Sequence, residues 1–152
     1  MRRVASLATI LVAAMAMVAT GAADPREARV GRIVISDAWA RPTAAGMPMG
    51  VAYFIVRNTG PAADAIVSAS TPAAARVEFH QTTIADGMAR MRPLREIAVP
   101  AGATVAIEPG GIHLMLVDLA APLAAGTRVP LTLVFRHAGK AELGLTVESR
   151  SE

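Results

Sequence analysis

The chain has 152 residues and no cysteine, which removes disulfides, cysteine nucleophiles, CxxC redox chemistry and thiolate metal ligands from the chemistry it can perform. Its 15 Lys and Arg face 12 Asp and Glu; without Arg2 and Arg3 at the start of the chain, 13 basic residues face 12 acidic ones. That balance, with no basic stripe interleaved with aromatics, speaks against nucleic acid as a partner.

In chain order, the first predicted element is a leader. Arg2 and Arg3 precede an apolar run from Val4 to Val18, and Thr20-Gly21-Ala22-Ala23 has the small residues of a cleavage region. The run is short for a membrane span and the polar "DPREAR" follows it, so residues 1–23 read as a secretory signal and residues 24–152 as one exported domain with no stable membrane span after cleavage. About 129 residues suit a single core.

The domain reads as all-β. Short runs rich in Val, Ile and Phe predict strands over Arg32–Trp39, Val51–Asn58, Ala65–Ala69, Arg76–Thr82, Met88–Arg92, Glu96–Val99, Thr104–Ile107, Ile112–Leu119, Val129–Arg136 and Ala141–Glu148. "NTGPAAD", "PAG", "EPGG" and "HAGK" supply turns between them, and no stretch carries a helical period. So many strands in one small domain imply a sandwich or a Greek-key barrel.

Two of these strands carry unusual polar faces. Asp86-Gly87 is a two-residue hairpin signal; with these as the turn, Ala85 pairs with Met88 and Met91 stands opposite Thr82, diagonal to His80 at about 7–8 Å between backbones. Val77, Phe79 and Met88 then face the other way, which assigns Met88 to the core and Met91 to the histidine face. In "GGIHLMLVD", Ile112, Leu114 and Leu116 share one strand face and His113 and Met115 the other, after a type II turn at Pro109-Gly110.

Imidazole and thioether together suit a soft or borderline metal, and thioether favours Cu(I) over zinc or hard ions. The bland alternative is packing: His-x-Met on a strand also serves a core, where Met fills gaps. His137 in "FRHAGK" reads as an exposed turn residue, and Met47 and Met49 in "AAGMPMGVAYF" as loop packing, with an auxiliary copper contact as the alternative. Two rival readings remain open on the residues alone. One is a zinc-binding envelope protein using His80, His113 and Glu78; the other is a metal-free interaction module. No activated nucleophile or acid/base pair suggests an enzyme.

The spacing resembles that of a known family, the periplasmic copper chaperones of the PCuAC type, whose pattern is His, ten residues, Met, twenty-one residues, His-x-Met. His80, Met91, His113 and Met115 fit it without a gap, and "DAWARPT", "AYFIVRNTG", "RVEFH", "RMRP", "VPAG", "PGGIHLML" and "VPLTLVF" look like its flanking blocks, from about Asp37 to Val147. The resemblance implies a cupredoxin-like Greek-key β-sandwich in the periplasm, expected to be monomeric, that holds Cu(I) on those four residues. It also implies delivery to the CuA-bearing subunit of cytochrome c oxidase, directly or with a Sco-type thioredoxin-fold protein. Gln81 stands where an acidic residue is common in the family, and the tail "TVESRSE" lacks a His/Met-rich extension, so no second Cu(II) site is expected.

Overall fold

A computed structural model describes residue 24 and residues 26–151; the leader expected over residues 1–23 lies outside the described residues. Eleven strands and no helix are found among the described residues: Ala28–Val30 (β1), Ile33–Ala40 (β2), Met49–Asn58 (β3), Asp64–Ser70 (β4), Ala74–Ala85 (β5), Met88–Leu94 (β6), Ile97–Val99 (β7), Thr104–Ile107 (β8), Ile112–Leu119 (β9), Arg128–Phe135 (β10) and Gly139–Val147 (β11). Ten match the expected strands within a few residues. The eleventh, β1, is a three-residue strand paired with β2 across the Gly31 turn, too short to show a pattern in sequence.

The strands hydrogen-bond in the order β6-β5-β9-β8-β3-β2-β11-β10-β4-β7, with an extra β9–β3 pairing and β1 beside β2. The β5–β9, β3–β8, β2–β11 and β10–β4 neighbours are far apart in sequence, so chain crossovers, not only hairpins, build the sheet. The path is continuous and curls round one interior: a single cluster joins Phe79, Leu114 and Leu116 to Ile66, Leu133 and Leu145 from the far end. Val67–Ala69 of β4 and Val77–Phe79 of β5 line the same cleft, where the two ends of the path approach each other.

This curled all-β architecture sets up the site through alternation. On β9, Leu114 and Leu116 are fully buried against the interior, which fixes which residues must face outward. A one-residue slip would expose both leucines, each costing roughly 2 kcal/mol of transfer free energy. The interior thus enforces the register of the outer face.

Candidate metal centre

Glu108-Pro109-Gly110-Gly111 forms the turn that launches β9. Pro109 supplies its fixed φ, Gly110 takes φ 77°, and the Gly111 N–H donates to the Glu108 carbonyl at 3.1 Å, as a type II turn requires. Two residues on, His113 is 5 % exposed, and its Nδ1 lies 3.1 Å from the Gly111 carbonyl oxygen. A carbonyl only accepts, so Nδ1 carries the hydrogen and Nε2 keeps the lone pair. Met115 follows on the same face, half-buried.

The second histidine arrives on β5. Asp86 and Gly87 both have positive φ, 53° and 73°, so the turn is the type I′ expected, and the register runs Ala85↔Met88, Thr82↔Met91, His80↔Pro93. On its other side β5 pairs with β9, placing His80 directly opposite His113 and Glu78 opposite Met115. The two imidazole rings are 5.9 Å apart between centroids and inclined by 24°. All four residues singled out from the sequence therefore share one sheet face: the histidines at its centre, Met115 beside them, and Met91 diagonal to His80 on the edge strand.

Three methionines depart from expectation. Met88 does lie on the face opposite Met91, but it is 56 % exposed, not in the core. The β5–β6 hairpin runs past the end of the interior, as Ile84 at its tip also shows, so the inward-facing parity there meets solvent. Met47 and Met49 were expected to pack a loop; both are exposed, and Met49 opens β3. The pairings Met49↔Val117 and Val51↔Met115 put Met49 on the site face, diagonal to Met115. Loop packing is the leading reading for Met49 in the sequence, and its place on this face is not legible there because it depends on the long-range pairing of β3 with β9. His137 is an exposed turn residue, as read.

The polar surroundings converge on His80. Its Nε2 lies 3.0 Å from Glu78 Oε2, and Arg76 Nε donates to Glu78 Oε1 at 2.8 Å while Arg76 Nη1 donates to Asp118 Oδ2 at 2.9 Å. Hydrogen bonds from His80 and then Arg76 hold the Glu78 carboxyl below its ordinary value. His80 Nδ1 is buried with no hydrogen-bond partner among the described residues. A buried polar atom left unpaired costs about 1–3 kcal/mol, a penalty that a bound metal would relieve. Among the described residues no three His, Cys, Asp or Glu side chains converge as ligands, and both Glu78 oxygens are hydrogen-bonded, one to His80 and one to Arg76. Met115 and Met91 add thioethers to the same sheet face as the two imidazoles, and thioether is a donor preferred by monovalent copper.

The family model described as "Putative lipoprotein LpqE-like" matches residues 33–147. The chain belongs to the LpqE-like family. A relative from Leifsonia xyli subsp. xyli, named "Putative lipoprotein Lxx21020", is 34% identical over 120 residues, 78% of this chain and 71% of that protein. Among solved structures, the copper-bound PCuAC domain from PmoF2 superposes with a TM-score of 0.71 at 27% identity, over 82% of this chain and 98% of that one. CuI-DR1885 from Deinococcus radiodurans superposes with a TM-score of 0.64 at 27% identity, over 81% of this chain and 80% of that one. The PCuAC resemblance seen in the motif spacing and the all-β, cupredoxin-like fold class are thus both shown for this LpqE-like chain.

Proposed function

We propose that this LpqE-like protein is an extracytoplasmic Cu(I) carrier, not an enzyme, and that His80, Met91, His113 and Met115 are its metal ligands. The observation that carries the reading is the cross-strand pairing of His80 with His113, which faces two imidazoles across one gap with a thioether on either side. Two relatives of the same fold, solved with copper and with Cu(I), support the choice of metal. The lipoprotein naming of the family and of the Leifsonia relative supports export, and we take the periplasm as the compartment. The cargo's destination is the CuA-bearing subunit of cytochrome c oxidase, directly or through a Sco-type protein.

Two neutral imidazoles and two thioethers add no ligand charge, and Met91 is 54 % exposed, so an incoming thiolate on an acceptor can displace ligands from the open side. Each imidazole must be unprotonated to bind, so protons compete with the metal and affinity falls on acidification; a flat profile would contradict histidine ligation. The decisive test is anaerobic Cu(I) titration of the protein and of four variants, each with one of the four residues replaced by Ala. Loss of affinity in each variant is expected; undiminished binding in all four would reject the assignment. Competition against Zn(II) is expected to separate the metals, because removing both methionines would cripple Cu(I) binding while leaving any zinc binding untouched.

A further inference from the structure

We propose that the two histidines present different ring nitrogens to the metal, His80 its Nδ1 and His113 its Nε2, and that Glu78 is the positioning residue that makes the choice at His80. This deepens the Cu(I) reading above and rests on it.

A neutral imidazole has one N–H and one lone pair, and only the lone pair can bind a metal. At His80 two independent observations fix which is which. Nε2 faces a carboxylate oxygen at 3.0 Å, and that oxygen can only accept, so Nε2 carries the hydrogen. Nδ1 is buried and partnerless among the described residues, which suits a lone pair awaiting a metal and would strand an N–H donor. The opposite tautomer would set two lone pairs against each other at 3.0 Å and bury a donor with no acceptor. At His113 the roles are exchanged, because Nδ1 donates to the Gly111 carbonyl and leaves Nε2 free.

Glu78 is itself held in place. Arg76 clamps its second oxygen at 2.8 Å and is in turn tied to Asp118 at 2.9 Å. Arg76, Glu78 and His80 alternate along one face of β5, opposite Val117, Met115 and His113. Asp118 reaches the line because its backbone turns left-handed, φ 57°, at the point where strict strand alternation would send its side chain the other way. The chain Asp118–Arg76–Glu78–His80 thus runs from one end of the site face to its centre. An outer partner of this kind orients a ligating ring and raises its basicity. Nδ1 is the ring nitrogen closer to the backbone, and Met91 lies on the same sheet face of the neighbouring strand β6, opposite Thr82.

Long-range 1H–15N spectra of the labelled protein test this directly, since Cu(I) is diamagnetic. Without metal, His80 is expected as the Nε2–H tautomer and His113 as the Nδ1–H tautomer. On anaerobic Cu(I) addition, the His80 Nδ1 and His113 Nε2 resonances are expected to shift. Glu78→Ala is expected to blur the His80 tautomer and weaken Cu(I) binding about 10- to 100-fold, and Glu78→Gln, which keeps an acceptor, to recover most of both. A metal-free spectrum with hydrogen on His80 Nδ1, or Cu(I) bound through His80 Nε2, would overturn the inference while leaving copper binding intact. Failure of the protein to bind Cu(I) at all would instead overturn the copper reading, and the ligand half of this inference with it.

Discussion

The two halves of the site are built to different standards of rigidity. The β9 half lies inside the sheet, with β5 on one side and β8 and β3 on the other; His113 is almost wholly buried and hydrogen-bonded to the Gly111 carbonyl. The hairpin half ends at the sheet's edge, where β6 has a neighbour on one side only and Met91 is more than half exposed. A site that must hold an ion and also surrender it needs both: fixed ligands to define the place, and an open ligand where an acceptor can enter. The difference teaches that the aliphatic face of β9 and the turn of the hairpin carry separate duties, and each can be disturbed alone.

The largest effect is expected beneath the rigid half. Leu114→Ala removes a fully buried side chain directly behind His113 and should destabilise the fold by about 2–5 kcal/mol in urea unfolding, whereas Met91→Ala should stay within about 0.5 kcal/mol of the parent. Equal losses from both would erase the distinction. In Cu(I) affinity, His113→Ala should cost at least about 100-fold, more than an outer partner is worth, and Met91→Ala about tenfold, or about 1.4 kcal/mol. A Met91 loss as large as that of His113 would mean that the open half is no looser than the closed one.

How far the sequence foretold this contrast can be traced residue by residue. Strand alternation and the Asp86-Gly87 turn predict the faces and the register, because both are local: positive φ at two successive residues forces a type I′ hairpin, and Leu114 and Leu116 leave His113 one direction to face. Coverage was not legible. Met88 has the inward parity read from the pattern, yet nothing extends over it, since how far the interior reaches along the hairpin depends on strands far away in sequence. The Glu78–Arg76–Asp118 line and the place of Met49 were hidden for the same reason, as they depend on pairing of β5 and β3 with β9.

The hairpin turn offers a sharper cut. Inserting one Ala just after the turn, between Met88 and Ala89, shifts every later residue of β6 by one position and swings Met91 to the opposite face, so Cu(I) affinity should fall about as far as in Met91→Ala, roughly tenfold. Retained affinity would show that Met91 does not act from this face. The smallest effect is expected far from the site, at Asp37. Arg150 donates to both its carboxylate oxygens at 2.8 Å and holds its carboxyl below the ordinary value. A carboxyl depressed on folding adds stability above its unfolded value, about 3.9, and loses it as pH falls through the lower folded one. Arg150→Ala should therefore cost at most about 1 kcal/mol at neutral pH, and the gap to the parent should close in acid. Fluorescence of Trp39, the sole tryptophan, reads this, because the Arg150 guanidinium lies 4.7 Å from its ring centroid. A gap that widens in acid would reverse the sign.

The central claim is that two imidazoles and two thioethers hold one Cu(I), and X-ray absorption at the copper edge of the anaerobically loaded protein tests it most directly. Two nitrogen and two sulfur scatterers are expected, with one sulfur lost in Met91→Ala and one in Met115→Ala. A shell of nitrogen and oxygen alone, unchanged by either substitution, would contradict the account.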